Sequence, residues 1–179
     1  MKTYVILLRG VTPTGRNRVP MAELRVALAE AGLADVRTYI QSGNVIAGSN
    51  LALARVGPLV HHAIKQRIGA DLAVIARTPQ QFASVLKRNP FPLVDSSRLY
   101  FSLLASPPSP EALRGLLDTD FGADRVTVVG DTLYTLYATK LSDSRFTNNY
   151  FERKLKVAAT TRNFNTVSRL VELSAGGSS

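Results

Sequence analysis

Residues Tyr4 to Leu8 read Tyr-Val-Ile-Leu-Leu, five β-favouring positions with hardly a polar atom among them. Successive side chains of a strand point to opposite faces, so this segment requires a sheet covered on both sides. The order of the following segments narrows the choice. A loop from Arg9 to Val19 is broken by Gly10, Pro13 and Gly15. Pro20 then opens a helix with Met21, Leu24 and Leu28 inward and Gly32 as its stop. Val36 to Ile40 reads as a second strand, Ser42-Gly43-Asn44 as a turn, and Val45-Ile46 as the start of a short third strand closed by Gly48. Val56, Val60, Ile64 and Ile68 mark a second helix ended by Gly69. Gly57-Pro58 predicts that it begins at Pro58 or has a weak first turn. Leu72 to Ala76 is a fourth strand, which completes a βαββαβ unit, the ferredoxin-like split βαβ pattern.

The order then starts again. Thr78-Pro79-x-Gln81 carries a capping Thr, a Pro at the first helical position and a Gln at the third, and the helix it opens ends at Asn89-Pro90. Leu99 to Leu104 is a strand and Pro110 to Leu117 a helix. Val126 to Val129 and Thr132 to Tyr137 form a hairpin around Gly130-Asp131, and Ser144 to Leu155 is a further helix. Ala158 to Thr161 is read as a closing strand and Thr166 to Leu173 as a last helical segment. The expected architecture is α+β: two ferredoxin-like lobes in tandem, antiparallel sheets with helices packed on one face. The expected divisions are a first lobe with its connecting helix over residues 1–89, a connector over 90–97, a second lobe over 98–173 and a disordered tail over 174–179.

Composition removes several kinds of chemistry. The 179 residues include no Cys, which excludes disulfides, zinc–thiolate sites and thiol nucleophiles and fits a cytoplasmic protein. No apolar run approaches the roughly 20 residues that a membrane-spanning helix needs. His61 and His62 are the only histidines, and as helix neighbours they face directions about 100° apart and cannot clasp one ion, so no metal site is expected. Asp118, Asp120 and Asp124 share a loop with no histidine nearby. No Gly-x-Ser-x-Gly elbow, P-loop or Gly-x-Gly-x-x-Gly fingerprint occurs. No cofactor is expected.

The charge is uneven. Residues 1–95 hold 12 basic and 5 acidic side chains, residues 96–139 hold 3 and 5, and residues 140–179 hold 7 and 3, so the net +9 is concentrated at the two ends of the chain. Arg9, Arg16 and Arg18 share the first loop with no acid between them, and a field of this kind attracts phosphates. Two polar stretches exceed what folding demands: Thr38 to Val45, and Glu152 to Thr166. In the second, Arg162 and Asn163 could receive an anion at the start of a helix. Equally, Asn163 or Asn165 could cap that helix, with Arg162 held by Glu152 or a carbonyl.

Leu-Leu-Arg-Gly at 7–10, Pro-Met-Ala-Glu-Leu at 20–24, Val-Arg-Thr-Tyr-Ile-Gln-Ser-Gly-Asn-Val at 36–45, Glu-Arg-Lys-Leu at 152–155 and Thr-Thr-Arg-Asn-Phe-Asn-Thr at 160–166 together resemble the bacterial family known as domain of unknown function 1697. The resemblance runs from residue 3 to about 173. It implies two ferredoxin-like halves and no established activity. The chain departs from the family's usual Ile-Asn-Val-Gly-Gly at Val11 to Gly15, and from its Gly-Arg-Ser-Lys at Asp143 to Arg145.

The expected function is binding of a phosphate-bearing ligand or nucleic acid. The expected site gathers Arg9, Gly10, Arg16 and Arg18, then Tyr39, Ser42, Gly43 and Asn44, then Arg153, Lys154, Thr161, Arg162, Asn163 and Asn165. The alternatives are an enzyme acting on a small phosphorylated or carboxylated metabolite, with Tyr39, Ser42 or Arg162 in polar catalysis, and an interaction module that forms a homodimer through a sheet edge.

Overall fold

The computed structural model of the chain describes residues 1–93 and 95–176. The elements run β1 (Lys2–Leu8), α1 (Met21–Glu30), β2 (Ala34–Tyr39), β3 (Asn44–Ser49), α2 (Leu53–Arg67), β4 (Val74–Arg77) and α3 (Pro79–Lys87). They continue with β5 (Leu99–Leu104), α4 (Pro110–Leu117), β6 (Arg125–Val129), β7 (Thr132–Leu136), α5 (Asn148–Leu155), β8 (Ala159–Asn163) and α6 (Phe164–Ala175). Two four-stranded antiparallel sheets result, in the orders β2-β3-β1-β4 and β6-β7-β5-β8. This is the expected α+β architecture, two ferredoxin-like lobes in tandem.

In the first unit Tyr4, Ile6 and Leu8 of β1 pack into a core with Met21, Leu24 and Leu28 of α1 and Val56, Val60 and Ile64 of α2. Val5 and Leu7, on the opposite face of the same strand, are equally buried, as the apolar run requires. The second unit repeats the arrangement. Leu104, Leu133 and Ala159 of its sheet meet Leu116 of α4 and Phe151 and Leu155 of α5.

The compact units divide differently from the expected borders. One comprises Met1–Ala83 with the segment from Arg169 onward, the other Ser84–Ser168, so the division runs through α3 and α6. Each sheet gains part of the helix that follows the other sheet in sequence. Arg37 of β2 donates to the Leu173 carbonyl of α6 (3.3 Å), and the buried Tyr134 hydroxyl of β7 donates to the Val85 carbonyl of α3 (2.8 Å). Ser174, expected to open a disordered tail, lies instead within α6 and is 1% exposed, its hydroxyl bonded to the Val171 carbonyl. Residues 177–179 of that expected tail lie outside the described residues.

Local signals explain the well-placed elements. Thr78 and Gln81 close a reciprocal capping box at α3, with Thr78 N–H donating to Gln81 Oε1 (2.9 Å) and Gln81 N–H to Thr78 Oγ1 (3.2 Å). Elsewhere tertiary contacts override the sequence signal. α2 begins at Leu53 and carries Pro58 inside it, because Val56 is fully buried and holds the first turn in place. Ser144 does not open α5. Its hydroxyl donates to Asp124 and accepts from the Phe146 N–H, which keeps that segment out of the helix until Asn148.

Candidate functional site

The Ser42-Gly43-Asn44 stretch closes the β2–β3 hairpin. Tyr39 and Asn44 pair across it, and Ile40 and Gly43 both take left-handed backbone, φ +50° and +77°. Asn44 is fully buried; its amide donates to the Tyr39 carbonyl (3.1 Å) and to Ser42 Oγ (2.9 Å). Gly43 faces the end of β1. A Cβ there would stand 2.7 Å from Leu8 Cβ and 2.8 Å from Val11 Cγ2, while its carbonyl accepts the Leu8 N–H at 2.9 Å. The turn is thus locked against Leu8 and Val11, the residues that flank Arg9 and Gly10.

The first loop folds on itself. Thr12 N–H bonds the Asn17 carbonyl, Arg18 N–H bonds the Gly15 carbonyl, and Gly10 and Gly15 take left-handed backbone. Between this loop, the start of α1 and the hairpin turn lies an open recess of about 810 Å³, its polar lining drawn from Thr12, Arg18, Arg25, Gln41 and Ser42 and its apolar lining from side chains such as Val11 and Met21. Among the described residues no carboxylate lines it. Arg25 is fixed there by a 2.7 Å bond to Thr38 Oγ1. The α1 N-terminus, which follows the extended Pro20 and has no side-chain cap, opens into the same space. Of the expected residues, Arg18 and Ser42 line the recess, and Arg9, Gly10, Arg16, Tyr39, Gly43 and Asn44 lie outside its lining, Gly43 packed against the lining residue Val11 and Asn44 bonded to Ser42. Thr12 and Gln41 lie within stretches that the sequence singles out without being named as site residues, and Arg25 was missed. Arg25 could have been found from its place one turn beyond Met21, on the helix side nearest the loop.

The second expected cluster lies in the other unit and has its own explanation. Arg153 and Lys154 are exposed on the last turn of α5, where cations suit the helix dipole. Asn163 Oδ1 accepts the Thr166 N–H at 2.9 Å and so caps α6, while Asn165 is exposed on the first turn of that helix. Thr161 donates to Asn148 Oδ1 (2.8 Å) and shares a 2.6 Å bond with the buried Ser102 hydroxyl. Asn148 Nδ2 reaches the Ala159 carbonyl (3.0 Å) and Glu152 Oε1 accepts the Ala159 N–H (2.8 Å). The Arg162 guanidinium donates to Thr160 Oγ1 (2.7 Å) and the Thr161 carbonyl (2.8 Å), and burial pushes its pKa down to about 10, still charged at neutral pH. These groups tie α5 to β8 and finish the strand's outer side.

The histidines part as expected. His61 Nδ1 meets the Leu72 carbonyl (2.8 Å) and its Nε2 lies 3.4 Å from Asp71, while His62 is exposed. Among the described residues no group of three His, Asp or Glu could hold a metal ion, and no helix is long and apolar enough to cross a membrane.

Strand order, lobe duplication and the hairpin-and-loop recess define a tandem ferredoxin-like α+β protein. Within that class the chain belongs to the family described as "Protein of unknown function (DUF1697)", whose model matches residues 1–134. The conserved bacterial protein SP0830 from Streptococcus pneumoniae has a similar structure, with a TM-score of 0.76 over 98% of this chain and 99% of that one at 19% identity, a likeness of fold. No curated protein matches the chain.

Proposed function

We propose that the chain binds a phosphate-bearing ligand in the recess between its first loop, the start of α1 and the β2–β3 turn. The observation that carries this reading is the lining: two guanidiniums, a hydroxyl pair and an amide, with no acidic side chain among the described residues. Arg16, exposed on the adjoining loop and without an ion-pair partner among the described residues, adds to the positive field. Guanidinium forks suit phosphate geometry, and the positive end of α1 adds to them. The volume falls within the span of small-molecule sites, which favours a small phosphorylated compound over a polymer lying across a flat face. The same concavity favours, as a second reading, an enzyme acting on a small phosphorylated or carboxylated metabolite, with the Ser42 hydroxyl as the lining nucleophile or proton carrier.

Calorimetric titration with pyrophosphate, mononucleotides and short single-stranded RNA and DNA tests both. Binding at about 50 mM salt that weakens as salt rises is expected. Arg18→Ala and Arg25→Ala should each weaken it about tenfold, the loss of one charge-assisted contact, whereas Arg114→Ala on exposed α4 should leave it unchanged. Absence of binding by every one of these compounds overturns the proposal.

A further inference from the structure

Each sheet ends in two edge strands, and three of the four are blunted. β2 carries a bulge between Ala34 and Arg37, with Asp35 in left-handed backbone at φ +49°. In β4 the Arg77 guanidinium turns back onto the carbonyl of the residue before it, Ala76, at 2.9 Å. β8 uses the same device, Arg162 onto the Thr161 carbonyl, and adds Asn148 and Glu152 on the carbonyl and N–H of Ala159. Such bulges and side-chain plugs stop a sheet from growing by another strand.

β6 has none of them. Its register with β7 is unbroken from Arg125↔Leu136 to Val129↔Thr132 around the two-residue Gly130-Asp131 turn. Residues that flank a two-residue turn form a hydrogen-bonded pair, so Val129, Thr127 and Arg125 bond inward to β7. Val126 and Val128 therefore aim their N–H and C=O groups outward. Among the described residues, no group apart from β7 hydrogen-bonds to the backbone of Arg125–Val129.

We propose that this open edge is the interface of a homodimer, in which β6 pairs antiparallel with β6 of a second copy about a twofold axis at Thr127. The outward groups are two residues apart, so the axis sets Val126 opposite the partner's Val128 and the reverse, closing two hydrogen-bonded rings. Arg125 falls opposite the partner's Val129, so no like charges oppose, and Thr127 meets its own counterpart in the close, non-hydrogen-bonded position. Val126 and Val128 already pack on the core of their unit, which holds the edge in register for pairing. The strand is short and two chains of net +9 repel, so the dimer is weak, concentration-dependent and strengthened by salt, the opposite of phosphate binding.

Sedimentation over a concentration series up to about 1 mM should show monomer passing to dimer. Thr127→Lys and Thr127→Glu each place like charges face to face and should raise the dissociation constant at least about tenfold without loss of circular dichroism, and an equimolar mixture of the two variants should restore the dimer. A wild-type chain that stays monomeric at the highest concentration overturns the proposal, even if it takes up an isolated Arg125–Val129 peptide. A dimer that survives in Thr127→Lys places the interface elsewhere, and a mixture that fails to recover refutes the twofold at Thr127.

Discussion

The two units share one strand order, and their corresponding loops diverge. The connection from β1 to α1 spans residues 9–20 and carries Arg9, Arg16 and Arg18; the connection from β5 to α4 spans residues 105–109, Ala-Ser-Pro-Pro-Ser, with no charge. By unit, the first holds 11 basic and 5 acidic residues and the second 11 and 8, so the units have equal cations and differ in how many are neutralised. The hairpins at the same topological place differ as well. In the first unit Gly43 is wedged between Leu8 and Val11, whereas in the second the nearest atom to a Cβ on Gly130 is the flexible Arg88 guanidinium, 3.5 Å away. One scaffold therefore serves two purposes: in the first unit the loop and turn are welded into a recess, and in the second the same positions are short and plain.

Replacing the two hairpin glycines by alanine would sharpen this contrast most. Gly43→Ala meets left-handed strain and two carbon contacts under 3 Å with the β1 end, and should cost about 3 kcal/mol or more in urea unfolding. Gly130→Ala meets the backbone strain alone, at φ +63°, and should cost about 1 kcal/mol. Equal losses would mean that the first hairpin is not welded to the loop, and the recess would lose its rigid wall.

Alkali separates the units next. Burial raises the pKa of Tyr134 from 10.0 to about 12, and burial likewise raises that of Tyr137, whose hydroxyl donates to the Phe146 carbonyl (2.7 Å); both belong to the second unit. The unfolded chain releases these protons near pH 10 while the folded chain keeps them. Stability is therefore intact below about pH 10 and falls as pH rises toward 12, by a few kcal/mol in all. Hydrogen exchange followed from pH 8 to 11 should show the second unit losing protection first, and Tyr134→Phe should flatten part of that loss. A first unit that opens earlier would contradict the assignment.

Much of the architecture was legible because its signals are local. The reciprocal pair Thr78–Gln81, the Gly130-Asp131 hairpin and the doubly apolar β1 each depend on residues close together in sequence. What escaped depends on partners far along the chain. The sequence allows Arg162 a carbonyl partner and Asn163 a helix cap, and both occur, but that Arg162 finishes its own strand's edge follows only once β8 is known to lie outermost. Likewise Ser174 reads as tail because the burial of α6's last turn comes from the first unit. Of the candidate site, Arg18 and Ser42 were legible, whereas Arg9 and Arg16 do not line it and the role of Arg25 shows only once its bond to Thr38 is known.

Asn148 tests whether the motif in the second unit is architectural. Asn148→Ala removes a donor from the Ala159 carbonyl and an acceptor from Thr161, and should destabilise by about 2 kcal/mol while leaving the phosphate binding proposed for the first unit untouched. A variant that folds with unchanged stability but loses ligand would place the binding surface in the second unit instead.

The smallest effect concerns Ile40, and its sign is the informative part. It is a β-branched residue, 51% exposed, held at φ +50° at the corner of the first hairpin. A side chain so placed strains the backbone and buries little in return, so Ile40→Gly should raise unfolding stability by about 1 kcal/mol. Strain of this kind persists where a residue serves something other than stability, and Ile40 adjoins Gln41 and Ser42 on the recess lining. Ile40→Gly should accordingly gain stability and lose ligand affinity together, read by urea unfolding and titration on the same preparation. If stability rises and affinity does not change, Ile40 is only a feature of the turn. If stability falls, the isoleucine makes contacts that its exposure conceals, and the first hairpin is held by more than the wedge at Gly43.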